Sequence, residues 1–338
     1  MAPFLGDDPF LPVMEAALGT PEGGSPTLLL DDRELGEPGS PWSSLAAEHL
    51  DCLTDRSRLR AFTRSCGLPT PEGMTASALD QLGTWIMRRQ KFPLALKSCR
   101  NASNGAGIFR LEGFRELTGF YEKIQAFEPG PVLLEEWIEA RALIEVSVAG
   151  SGTTMMTQVG LDRTLSARWA WRMFPLKLPQ AYKPGVEAIL TAFAPMLSRK
   201  GTLLRFTIAL APDGKAVLIA VSGSANRMEY YPGWCEAAGL PPLATCLATA
   251  PTPQTARPIQ AFGRLQFFRG PEKTSRYPAQ PPAKSKPLGL SAYATAGRYA
   301  AALLAGADPN ALSQNGKILA RLLEEELPVT AKTGTGSR

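Results

Sequence analysis

The chain has 338 residues, 44% of them apolar and 20% charged, with a net charge of +5; it can bury a real core and is long enough for about two domains. No run of 18 apolar residues offers a membrane span, and the opening MAPFLGDDPF lacks the basic and apolar regions of a secretory signal, so a cytoplasmic protein without membrane contact is expected. Cys52, Cys66, Cys99, Cys235 and Cys246 form no CxxC pair and His49 is the sole histidine, which argues against thiolate–imidazole zinc sites and against Cys/His or Ser/His/Asp catalysis.

Residues 1–50 are rich in Gly, Pro and Asp, carry one short strand candidate at Thr27–Leu30, and read as partly disordered. A helix is predicted from Thr54 as cap, with Leu59, Phe62 and Cys66 on one face and Gly67 and Pro69 ending it. A second helix, about Ser77–Gln90, aligns Leu79, Leu82 and Ile86. Phe92–Ser98 reads as a buried strand running into the loop Arg100–Gly107. A helix with Phe114, Leu117, Tyr121 and Ile124 on one face follows, then a strand at Val132–Trp137. Leu143–Ala149 and Thr153–Val159 are predicted to pair about the turn Gly150–Gly152. Pro184–Leu197 reads as a helix burying Val186, Ile189, Leu190 and Phe193, with a break at Pro195. The strand Leu203–Leu210 turns at Asp213-Gly214 into Lys215–Val221, a strong hairpin signal. The alternation predicts an α+β fold with helices laid on antiparallel sheets.

From residue 252 onward, 12 Lys/Arg stand against 5 Asp/Glu, whereas the first 251 residues carry 24 against 26. Residues 251–288 form a proline-rich basic segment with one strand, Phe262–Phe268. Arg264, Phe267, Phe268 and Arg269 interleave charge with aromatics, which would suit stacking and phosphate contact on nucleic acid. The basic residues are dispersed among prolines, so a solvated linker and one edge strand of the core is the preferred reading, and nucleic acid is not the expected partner. Residues 289–327 are predicted to be helical around Leu303–Leu304 and Ile318–Leu323, and 328–338 to be a disordered tail.

Four stretches, in order, resemble the ATP-grasp carboxylate–amine ligases of the D-alanine–D-alanine ligase type. Asp55–Pro71 (DRSRLRAFTRSCGLPTP) is similar to that family's D-K-x-x-x-R…G-[VL]-P-x-P helix, with Arg56 in place of lysine. Leu94–Ile108 (LALKSCRNASNGAGI) resembles its strand–lysine–glycine loop, Val132–Ile138 (VLLEEWI) its hinge strand, and Leu204–Ser222 its metal-binding hairpin. The resemblance covers about half the chain. It implies one ATP-grasp subdomain over 51–130 and a second over 131–250, preceded by a region too short for the family's usual substrate-binding domain.

The resemblance places Lys97 on ATP phosphates, with Asn104, Gly105, Ala106 and Gly107 as the glycine loop whose N–H groups approach the anion. It places the backbone of the hinge strand along the adenine edge, Trp137 and Ile138 as apolar walls, and Glu135 or Glu136 as acceptor of the amino group. The family's magnesium ligands fall at Thr207, Ala220 and Ser222, none of them a carboxylate, and its ribose-binding glutamate is lost in Ala140-Arg141-Ala142. Magnesium prefers carboxylate and phosphate oxygen, so ATP is the implied ligand and magnesium a doubtful one. The expected function is therefore that of a degenerate, non-catalytic ATP-grasp protein, binding nucleotide weakly or serving as partner or scaffold of an active ligase. The alternative is a diverged ligase working through an acyl phosphate, with Arg205, Arg227, Glu229 and Lys97 as its polar residues and Asn226 nearby. Ala261–Gly270 resembles the tail of ATP-grasp ligases from methanofuran and methanopterin-type cofactor pathways.

Overall fold

The computed structural model describes residues 47–100, 107–149, 154–162, 168–197, 203–223, 235, 237, 261–268, 280–296 and 299–325. Helices α1 (Ala47–Thr54) and α2 (Arg56–Ser65) lead into β1 (Gly73–Ala76), α3 (Leu79–Arg89), β2 (Leu94–Ser98), β3 (Ile108–Leu111), α4 (Leu117–Phe127) and β4 (Val132–Glu136). Next come β5 (Ala142–Ala149), β6 (Thr154–Asp162), β7 (Arg168–Phe174), α5 (Lys183–Ala192), α6 (Ala194–Leu197), β8 (Leu203–Leu210) and β9 (Ala216–Ser222). The described chain closes with β10 (Ala261–Phe268), β11 (Leu290–Ala296), β12 (Tyr299–Gly306) and α7 (Pro309–Glu325).

Two antiparallel sheets result, as the α+β reading expected. The smaller has the order β1-β4-β2-β3 and the larger β11-β12-β10-β7-β6-β5-β8-β9. On β2 and β4 the strand residues are buried on both faces, Glu136 excepted, because helices cover one side and the rest of the chain covers the other. Leu94, Leu96, Val132 and Leu134 meet Leu82 and Ile86 of α3 and Leu117 and Ile124 of α4. In the larger sheet Ile144, Val146 and Val148 of β5 alternate with polar Glu145 and Ser147, and the apolar set packs with Leu204, Phe206 and Ile208 of β8 against Val186 and Ile189 of α5. Phe193 joins this core edge-on to Phe62 and Phe206, with ring centroids 5.0 and 5.2 Å away. Each such fully buried side chain contributes about 1.5–3 kcal/mol.

Several expectations are corrected. The helix predicted with Thr54 as its cap is α2, whose cap is instead Asp55, accepting from the N–H groups of Ser57 and Arg58, and the separate helix α1 that precedes it was not anticipated. Phe114 lies in a short 3-10 turn before α4 and is exposed. The break near Pro195 falls at Phe193, because a proline tolerated in a helix's first turn begins α6 instead of interrupting it. Strand β7 (RWAWRMF) went unrecognised although it pairs with β6 and β10. Strand β10 is interior, not an edge strand, being hydrogen-bonded to both β7 and β12. The 289–327 segment is helical only in α7. Its Leu303 and Leu304 belong to β12, which pairs with β10 and β11 and buries Ala300, Ala302 and Leu304 against Leu312, Leu319 and Leu323 of α7. Thr27–Leu30 and the 328–338 tail lie outside the described residues.

Candidate functional site

The candidate site starts where the first turn of α2 is fastened to the end of β2. The Arg56 N–H donates to the Cys99 carbonyl at 2.9 Å, and its Nη1 donates to the Ser98 carbonyl at 2.8 Å. Burial pushes the Asp55 carboxyl up, but hydrogen bonds from Ser57, Arg58 and Arg100 outweigh this and hold it below its ordinary range.

One turn further, Arg60 turns inward and is 1% exposed. Its Nε and Nη2 donate to the two oxygens of Glu135 at 2.7 and 3.0 Å. Its Nη1 and Nη2 donate to the carbonyls of Leu218 and Ile219 on β9 at 2.9 and 3.0 Å. Ala95 lies opposite Glu135 in the β2–β4 register, which puts Lys97, two residues along β2, on the same face, and its ammonium pairs with Glu135 Oε1. One carboxylate thus receives three N–H donors from two cations, all of them buried.

Burial is the largest influence on Lys97 and pushes its ammonium down to about 8; Glu135 opposes the shift, while Arg60 and Arg56 add to it. Burial also pushes the Glu135 carboxyl up, but Lys97 and Arg60 outweigh it and hold the carboxyl down at about 2. The two shifts pull in opposite senses for one ion pair, since the first weakens the charged form and the second strengthens it. The imbalance has a plain cause: Glu135 faces two cations, whereas Lys97 shares its one counter-charge with Arg60. Glu135 is the firmly ionised member, and Lys97 is the one able to release a proton.

Of the residues singled out by the sequence, Lys97 and Glu135 are brought together. Gly107 closes the glycine loop beside them with φ 66°, and its carbonyl accepts from the Ser98 N–H at 2.9 Å. Asn104, Gly105 and Ala106 lie outside the described residues. Glu136 points away from Glu135 and pairs with the exposed Lys91 at 2.7 Å. The Trp137 N–H donates to the Pro93 carbonyl at 3.2 Å, and its ring lies 5.0 Å from the Arg110 guanidinium. Ile138 is half-buried.

On the last hairpin, Thr207 lies opposite Ala220 and Arg205 opposite Ser222, so all four share one face of the sheet. Arg205 Nη2 donates to Ser222 Oγ at 3.2 Å, while its buried Nε has no hydrogen-bond partner among the described residues. Two hydroxyls and a methyl at Thr207, Ser222 and Ala220 do not make a magnesium site, because that ion binds proteins chiefly through carboxylates. The buried Glu145 of β5 lies opposite Thr207, a single carboxylate beside this face. Among the described residues no group of three or more His, Cys, Asp or Glu is placed to hold a metal, and no helix is long and apolar enough to cross a membrane. Asn226, Arg227 and Glu229 lie outside the described residues. Arg60 was missed as a site residue. Its signal was present, as the last residue of the D-K-x-x-x-R pattern and next to the buried Leu59.

No protein-family profile matches the chain. Over 170 residues it is 29% identical to an N5-carboxyaminoimidazole ribonucleotide synthase from Synechococcus elongatus, a match spanning 48% of this chain and 39% of that relative. An L-amino acid ligase from Bacillus licheniformis superposes with a TM-score of 0.63 at 14% identity, covering 88% of this chain and 79% of that one. An N5-carboxyaminoimidazole synthase from Aspergillus clavatus, solved with ADP and 5-aminoimidazole ribonucleotide, superposes with a TM-score of 0.62 at 13% identity over 88% and 80% of the two chains. The architecture is the ATP-grasp fold.

Proposed function

We propose that the junction of the two sheets binds the phosphates of ATP or ADP through Lys97 and the glycine loop ending at Gly107, and that the protein acts by binding the nucleotide without turning it over. The observation that carries this reading is the register of the β8–β9 hairpin, which sets Thr207 against Ala220 and Arg205 against Ser222, so that neither strand of the hairpin itself supplies a carboxylate. Without a divalent cation, phosphoryl transfer loses several kcal/mol of charge stabilisation. The positive charge at this site comes instead from side chains: Lys97 and Arg60 share one carboxylate, and Arg56 adjoins them. In this reading the hinge residues Glu135, Glu136, Trp137 and Ile138 border the base, and the consequence of binding passes to a protein partner such as an active ligase.

Calorimetric titration of ATP and ADP, with and without magnesium, tests the reading. Binding of equal strength in both conditions, with no release of ADP or phosphate, is the expected result. Affinity that depends on magnesium would overturn it.

A second reading, a carboxylate–amine ligase with rearranged catalytic residues, is favoured by the 170-residue match to the Synechococcus elongatus synthase and by Glu145 beside the hairpin face. Magnesium-dependent ADP release with an amine and a carboxylate or bicarbonate would establish it.

A further inference from the structure

We propose that Arg60 is the positioning residue of this nucleotide site: by holding both oxygens of Glu135 it keeps that carboxylate from pairing fully with Lys97, so the cluster keeps a net positive charge and the Lys97 ammonium stays available to an anionic phosphate. The inference rests on the nucleotide-binding reading above and adds a residue that touches no ligand.

The geometry carries it. Arg60 grips Glu135 in a two-point fork, Nε to Oε2 and Nη2 to Oε1, and Lys97 reaches only Oε1, which Arg60 also holds. A fork of this kind fixes the plane of the carboxylate as well as its place. Arg60 cannot follow Glu135 towards Lys97, because its Nη1 and Nη2 are also tied to the Leu218 and Ile219 carbonyls on another sheet. The cluster of Arg60, Lys97 and Glu135 therefore holds an excess of one positive charge out of water. Arg56, from the same helix as Arg60 and bonded to the end of the Lys97 strand, adds to it. Burying unbalanced charge is costly unless a counter-ion completes the site, and a polyphosphate supplies one. Without Arg60 the remaining two groups form a neutral pair, with both carboxylate oxygens free to draw the ammonium away from the ligand.

Two effects of opposite sense follow, and a merely structural role would not produce both. Losing the Arg60 charge weakens nucleotide binding at neutral pH. It also makes the Lys97 proton harder to remove, since a like charge has gone and Glu135 is left to Lys97. The groups that set this titration are Glu135 on β4, Arg60 and Arg56 on α2, and Lys97 itself.

The experiment measures metal-free ATP affinity by calorimetry from pH 6 to about 10 for the whole chain, for Arg60→Gln and for Arg60→Lys. In parallel, the 13Cε resonance of Lys97 is followed without ligand. In the unaltered protein, affinity holds to about pH 8 and then falls about tenfold per unit, in step with the Lys97 resonance. Arg60→Gln lowers affinity at pH 7 by about tenfold to a hundredfold and moves both curves up by about one unit or more. Arg60→Lys, which keeps a cation but not the fork, leaves the curves in place and costs about tenfold or less.

A loss of affinity in Arg60→Gln with the curves unmoved would overturn the proposal. So would an affinity of the unaltered chain that stays flat to pH 9.5, a result that needs no variant to fold. If ATP does not bind at any pH, while the Lys97 resonance still shifts between the unaltered chain and the variants, the nucleotide reading fails and the charge relation between Arg60 and Lys97 stands.

Discussion

At the Arg60–Glu135–Lys97 junction, three charged side chains lie out of water with every carboxylate oxygen engaged. On the β8–β9 hairpin, the corresponding polar face carries Thr207, Ala220, Ser222 and Arg205, with no partner for the Arg205 Nε among the described residues. Both regions rest on well-packed strands, so their difference is not one of order but of chemistry. The first gathers two cations on one carboxylate; the second carries two hydroxyls, a methyl and a guanidinium, with the carboxylate of Glu145 on the neighbouring strand. In the proposed reading the site keeps the means of holding a nucleotide and lacks the means of activating it, because the two tasks draw on different side chains of the same scaffold.

The comparison can be broken most forcefully at Glu135. Glu135→Leu strands two buried cations and is expected to cost about 3–5 kcal/mol, read from urea denaturation. Gly73→Ala should follow, at about 1–3 kcal/mol: a Cβ there would sit 2.4 Å from the Leu134 carbonyl and 2.7 Å from the Glu135 Cβ, forcing β1 off the strand that carries the carboxylate. Its thermal midpoint should drop, and nucleotide affinity with it.

At the hairpin, the paired change Thr207→Asp with Ala220→Glu places two carboxylates opposite one another. Magnesium should then tighten ATP binding by about tenfold in the variant and leave the parent unchanged, as calorimetry would record. An unchanged variant would mean that the hairpin face does not meet the nucleotide.

Acid titration sharpens the contrast further. Glu135 titrates near 4.5 when unfolded and is held down at about 2 when folded, so its stabilisation is complete above the unfolded value and is lost as pH falls through that interval. Lys97 has the reverse balance: its folded value of about 8 lies below the unfolded 10.5, so stability rises with pH across that window. Urea midpoints against pH should show both limbs, and Glu135→Gln should remove the acid one. The smallest effect is expected from Glu72→Ala, which removes the exposed partner of Arg89 and should leave the urea midpoint within error.

Much of this architecture was legible in the sequence because it rests on period and turn chemistry. The Asp213-Gly214 hairpin, the apolar face of α3 and the buried β2 all declare themselves locally. The failures share a physical cause, tertiary context outweighing local preference. YAAALLAG in β12 is made of strong helix formers, yet pairing on both sides fixes it as a strand. In β7 the charged and aromatic residues do not give a clean apolar alternation. At the site, Lys97 was visible as a lysine before a glycine loop, and Glu135 and Glu136 were alternative acceptors for the adenine amino group; which of the two faces inward was not legible. Only the pleat decides that question, by turning one inward to Arg60 and the other outward to Lys91. Only its place at the end of the D-K-x-x-x-R pattern sets Arg60 apart from the solvent-facing Arg58 and Arg64 on the same arginine-rich helix.

The β8–β9 register shifts by one residue between Thr207 and Ile208, an extra residue bulging on β9. That strand ends the larger sheet, where unpaired carbonyls can template the addition of a foreign strand. The Arg60 guanidinium occupies two successive carbonyls there, Leu218 and Ile219, so the side chain that organises the interior also covers part of the last strand of the sheet among the described residues. Losing it would raise the tendency of the chain to self-associate through this edge, a liability separate from any loss of ligand binding.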